Sequence, residues 1–209
     1  MSNRFIQRMA LILLLPWIAA SCGSTRPVHY YVINEGAPPS NAATPQYPIS
    51  ILVARINTSH LYRDTRIVFG SGPVEMGTYE NERWSETPAD MIQTAVVSAL
   101  RSTGLYRSVT RVASKALGEY VIHTTLYSLY EVDKPDFAAR FSIQWELFET
   151  KSGATVWVGN YSHDEPVTGK SVTDVVEALD RNVHAGMQQL TSQLGQYFAG
   201  HPPQPPAGK

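Results

Sequence analysis

Apolar and polar residues alternate most sharply between Phe137 and Glu149. Phe141, Ile143, Trp145 and Leu147 fall on one side, and Arg140, Ser142, Gln144 and Glu146 on the other. A period of two over that length predicts a strand with one buried and one wet face. The preceding run, Tyr120 to Val132, is rich in β-formers. Its alternation places Val121, Thr125, Tyr127 and Leu129 on one face and Ile122, Leu126 and Tyr130 on the other. Asp133-Lys-Pro-Asp136 and Thr150-Lys-Ser-Gly153 have turn composition, and Ala154 to Ser162 reads as a further strand. Together these segments predict an antiparallel meander. Shorter β-like runs precede it at His29–Ile33, Ile49–Val53, Arg66–Phe69, Val74–Tyr79 and Tyr106–Val112. Gly70-Ser-Gly-Pro73 predicts a hairpin turn between two of them. The stretches 34–48 and 57–64 read as irregular.

The period lengthens to that of a helix in two places. Thr87 can cap a helix, Pro88 suits its first position, and Asp90 stands three residues on from the cap. Ile92, Ala95, Val96, Ala99 and Leu100 then form one apolar stripe, and Gly104 is a natural stop. A longer stripe runs through Val172, Val175, Val176, Leu179, Val183, Met187, Leu190, Leu194 and Phe198, behind a Ser171–Asp174 capping box. Gly186 and Gly195 interrupt it, each at a cost of about 1 kcal/mol relative to Ala. The expected fold class is α+β, an antiparallel sheet with two amphipathic helices packed on one face.

The start of the chain follows a different pattern. Arg4 and Arg8 precede an apolar run, residues 9–20, that is too short to span a hydrocarbon core of about 30 Å. Ala19, Ala20 and Ser21 are small, and Cys22 follows them. A charged start, a short apolar region and small residues before a cut are the marks of a secretory signal. The placement of Cys22 resembles the bacterial lipobox, with Ala19 where Leu is commonest and Ser21 before the cysteine. The expectation is a signal peptide over 1–21 and covalent diacylglycerol plus an N-acyl chain on Cys22, with no other cofactor. Cys22 is the only cysteine, so no internal disulfide can form. Acyl chains contribute about 0.8 kcal/mol per buried methylene, enough for several chains to hold the protein on a membrane. Gly23 stands where an Asp would resemble an inner-membrane retention signal, which favours the outer membrane, facing the periplasm. Residues 22–28 read as a short tether, 29–200 as one domain and 201–209 as a disordered Pro-rich tail.

Loss of Arg4 and Arg8 leaves 15 basic and 18 acidic side chains, a net charge of −3, which gives no general pull toward nucleic acid. The chain carries no H-E-x-x-H, no Gly-rich phosphate loop and no G-x-S-x-G. Phe69-Gly-Ser-Gly-Pro73 has the wrong spacing for a nucleophile elbow and reads as a turn. In His163-Asp-Glu165, neighbouring residues on a strand end point to opposite faces and converge poorly on a metal. His123 lies in an apolar strand and reads as a hydrogen-bonded core residue, and Ser59-His60 has no evident acid partner. The expectation is a chain with no catalytic residues and no metal ligands. Tyr and Trp are abundant in and beside the strands, where sheet packing accounts for most of them. Tyr79 and Trp84 lie in a polar stretch and stand out as candidates for a partner surface.

Four groups of residues occur in order behind the cysteine. They are Tyr30-Tyr31-Val32-Ile33; Ile49 to Val53 with Leu61-Tyr62-Arg63 and Arg66 to Phe69; Val74-Glu75, Tyr79 and Arg83-Trp84 leading to the Pro88 helix and Gly104-Leu-Tyr106; and Tyr120 to Asp133, the meander and Glu165-Pro-Val. This order resembles the ABC-type transport auxiliary lipoprotein family, which includes the PqiC-like proteins. The resemblance implies a non-catalytic partner of MCE-type (Mla-like) systems, in which an ATPase, a permease and MCE-domain subunits move lipids or other hydrophobic molecules between membranes. It leaves a homo-oligomer open, since some relatives form rings. Arg66, Glu75, Tyr79, Arg83 and Trp84 are the motif residues expected to face a partner. The alternative reading is an envelope-assembly lipoprotein that scaffolds an outer-membrane pore or regulates a cell-wall synthase.

Overall fold

A computed structural model describes residues 26–34, 44–71, 74–113 and 118–203. The signal segment, Cys22 with most of the tether, and the tail beyond 203 lie outside the described residues. In chain order the strands and helices are β1 (His29–Tyr31), β2 (Tyr47–Val53), β3 (Asn57–Thr58), β4 (Arg66–Gly70), β5 (Met76–Trp84), α1 (Pro88–Ser102), β6 (Tyr106–Arg111), β7 (Tyr120–Val132), β8 (Ala138–Glu149), β9 (Ala154–Pro166) and α2 (Val172–Gly200). A 3-10 turn, His60–Arg63, separates β3 from β4.

The thirteen-residue β7 is the spine of a nine-stranded sheet. One edge of β7 is covered by β8, antiparallel, and β8 carries β9, also antiparallel. The predicted meander is therefore present. The other edge of β7 is shared by three strands in succession. Ile51–Val53 lies opposite Tyr120–Ile122, Asn57–Thr58 opposite Thr125–Leu126, and Phe69–Gly70 opposite Glu131–Val132, all parallel. β6 extends the β2 arm in parallel. β5 extends the β4 arm antiparallel, and β1 joins β5 in parallel.

The expected antiparallel sheet is thus corrected to a mixed one, in which five of the eight strand pairings are parallel. Alternation along a strand records which side is buried. It carries no information on the direction of the neighbour. The chain between β4 and β7 includes the α1 crossover, the kind of long connection that a parallel return requires. The α+β class and the two helices stand.

α2 packs on β8 and β9, α1 packs on β6 and β2, and the helices touch each other. The core joins Phe141, Ile143, Trp145 and Leu147 of β8 to Val175, Leu179, Val183, Leu190 and Leu194 of α2. Each such side chain, fully buried, is worth about 1.5–3 kcal/mol of transfer free energy. Both helix starts form as their sequences predict. Thr87 Oγ1 accepts from the Asp90 amide at 3.2 Å, and Ser171 and Asp174 form a reciprocal capping box. Gly104 ends α1 at φ 65°, a conformation that side chains with a Cβ avoid.

Two departures in α2 and β7 have local causes. Gly186, read as a weak point in the helix, lies close against Phe141 of the sheet. A Cβ there would meet the Phe141 ring at 2.8 Å. In β7 the register shifts between Leu126 and Ser128, so the alternation changes phase. Tyr120, Ile122, Thr124 and Leu126 are buried before the shift, and Leu129 and Glu131 after it. His123 therefore points outward and is exposed, which corrects the reading of it as a core residue.

Candidate functional site

The predicted partner stretch, Arg66 to Trp84, forms the β4–β5 hairpin, whose strands hold most of its residues. The structure spreads its five marked residues over different environments. Trp84 is only 1 % exposed and its indole is part of the core, so it is corrected from surface candidate to the residue that anchors this arm. Arg66 is exposed and held by Asp64, with Nη2 2.8 Å and Nε 3.1 Å from the carboxylate. That guanidinium keeps the Asp64 carboxyl below the usual carboxylate range. Arg83 lies directly opposite Arg66 in the register, and Tyr30 of β1 lies opposite Arg83. An aromatic side chain and two cationic ones thus occupy one cross-strand row. Glu75 is exposed at the hairpin end.

Tyr79 is half-buried. Its hydroxyl donates to Glu131 Oε2 at 2.7 Å, and its ring packs on Phe69 with centroids 5.0 Å apart. Burial pushes the Glu131 carboxyl up from the ordinary range, and the hydrogen bond from Tyr79 opposes that shift. Burial, then the neighbouring Glu131, also pushes the Tyr79 phenol up. This pair links β5 to β7 beside β4.

Sequence reasoning missed a second surface. Arg55, Arg63 and Arg111 line a cleft of about 780 Å³ with Gln93 and Asp90, at the ends of β2 and β6 and the start of α1. Arg111 donates to Thr94 Oγ1, and none of the three arginines is in an ion pair among the described residues. Arg111 is more than forty residues from Arg55 and Arg63, so no local pattern marks the three together. A smaller apolar groove of about 150 Å³ lies between the helices, lined by Ala95, Ala99, Val183 and Met187.

His163 approaches Glu165 to 3.6 Å, but Asp164 points to Arg140, forming two bonds of 2.6 and 2.7 Å. Among the described residues no three His, Cys, Asp or Glu side chains gather in a way that could hold a metal ion. No helix there is long and apolar enough to cross a membrane. What the geometry offers is a sheet with two helices packed on it and open surface clefts.

The comparisons agree with the four sequence groups. The family model for the ABC-type transport auxiliary lipoprotein component matches residues 31–194, and the chain belongs to that family. Its class is therefore an auxiliary lipoprotein of the cell envelope. The crystal structure of protein XCC0632 from Xanthomonas campestris is similar, with a TM-score of 0.72 at 18% identity, over 83% of this chain and 99% of that one. A second, uncharacterised crystal structure has a TM-score of 0.64 at 13% identity, over 81% of this chain and 99% of that one. At these identities the likeness is one of fold. None of the curated proteins matches the chain.

Proposed function

We propose that this protein is a non-catalytic, lipid-anchored subunit that docks the periplasmic part of an ABC/MCE-type transport system at the outer membrane, where lipids or other hydrophobic molecules are passed between membranes. The observation that carries the reading is the family match across 31–194, which takes in every strand and helix after β1 and most of α2. The leader and Cys22 supply the anchor, and the lipid holds the domain near the bilayer, raising its effective concentration there. The rigid sheet supplies the docking body, and the MCE-domain subunit is the partner that the family resemblance implies.

The test is affinity purification of tagged protein from crosslinked, detergent-solubilised envelopes, with mass spectrometry of bound proteins and lipids. Recovery of an MCE-domain subunit, and its loss when a soluble form lacking the tether is used, is the expected result. Recovery of a pore or a cell-wall synthase in its place would transfer the protein to envelope assembly.

A further inference from the structure

The large exposed apolar side chains are unevenly distributed. Val28, Tyr30, Val32, Val74 and Met76, five of the eight among the described residues, lie on the arm formed by β1, β5 and β4. Val28, Tyr30 and Val32 are alternate residues on the outward side of the edge strand, and Tyr30 is 67 % exposed. Val74 is 93 % exposed at the end of the β4–β5 hairpin.

The direction of β1 links these residues to the anchor. β1 runs parallel to β5, with His29 opposite Glu82. The chain before His29 therefore heads back along β5, toward the hairpin end. From Glu82 to Met76 is six strand steps, about 20 Å. From His29 to Cys22 is seven residues, a reach of up to about 25 Å. The tether is long enough to bring Cys22 level with Val74 and Met76, and too short to carry it far beyond them.

From this we infer that the outward side of β1 and the end of the β4–β5 hairpin form the surface that rests on the bilayer. The inference relies on acylation of Cys22, which the proposed function also assumes. The occupant is the headgroup region of the membrane that holds the anchor. Tyrosine favours that zone because its ring is apolar and its hydroxyl is polar. Exposed Glu75 beside Val74 holds the contact at headgroup depth. The opposite end of the sheet, with the β8–β9 turn at Lys151 and Ser152, then faces away from the membrane, toward any partner reaching across the periplasm. Glu149 at the end of β8 pairs with Tyr120 at the start of β7, whereas the hairpin lies beside Val132 at the end of β7.

The only native cysteine is Cys22, which acylation blocks, so one added cysteine can be labelled alone. Full-length acylated protein carrying Val74→Cys or Ser152→Cys is labelled with a nitroxide and reconstituted in phosphatidylcholine vesicles. Flotation is scored first, and the collision rates of the nitroxide with oxygen and with a water-soluble nickel chelate are then measured. The expected result is a several-fold lower chelate accessibility at Val74→Cys than at Ser152→Cys. Equal and full chelate accessibility at both positions in floating protein would overturn the inference and leave the anchor reading intact. Failure to float would remove the anchor and overturn both. Introducing Tyr30→Ser and Met76→Ser into the Val74→Cys protein should raise its chelate accessibility, and no change would overturn the inference.

Discussion

The meander and the β1–β5–β4 arm use the same sheet in contrasting ways. In the meander, β7 and β8 stay in register through one shift, and β8 presents Phe141, Ile143, Trp145 and Leu147 to α2 without a break. In the arm, the register slips between Arg66 and Val68, and apolar residues face outward. The arm's buried contacts are local: Ile67, Val68 and Trp84 in the core, with Tyr79 bonded to Glu131. A continuous buried stripe builds a scaffold. A short, irregular arm with exposed apolar groups is the form of a contact surface.

The contrast can be broken most strongly in the meander. Trp145→Ala empties the centre of the β8 stripe and should cost about 3–5 kcal/mol, read from urea unfolding. Asn182→Ala comes next. This buried side chain accepts from the Tyr161 hydroxyl at 2.8 Å and donates to the Ala139 and His163 carbonyls at 2.8 and 2.9 Å. Its removal strands those groups between α2 and the sheet, at about 2–4 kcal/mol. Gly186→Ala should cost about 1–3 kcal/mol because the added methyl meets Phe141, although Ala favours helix.

Two smaller effects sharpen the contrast, one where β7 meets the arm and one on the arm itself. Glu131 has a folded pKa raised by burial. A raised carboxyl pKa means that its contribution to stability is complete below the unfolded value, about 4.3, and is lost as pH rises through the folded one. Glu131→Gln keeps an acceptor for Tyr79. The variant should unfold at higher urea than the native protein near about pH 7, and the two should converge near about pH 4. Coincident midpoints at both pH values would show that the carboxyl carries no burial cost. Arg66→Ala should leave the urea midpoint unchanged, since Arg66 is exposed and its pair with Asp64 is local. Any loss of transport function would then belong to the surface.

Much of the scaffold is legible in the sequence alone. The capping residues, Gly104, the β8 alternation and the turns report local geometry, and local geometry is written in neighbouring residues. The candidate surface was legible only in part. Arg66 and Glu75 are exposed, but in the same polar run Trp84 is buried and Tyr79 half-buried, because cover there is supplied by strands more than forty residues away. The cleft of Arg55, Arg63 and Arg111 left no trace, since chain segments far apart assemble it.

By itself the sequence determined the two helices with their caps, the meander and the α+β class. Each depends on short-range periodicity or on a linear motif. Only the tertiary structure decided the strand directions, that of β1 included, the phase change in β7 and the reason for Gly186. These depend on which strands meet, and strand pairing is a contest among distant segments for the same edge.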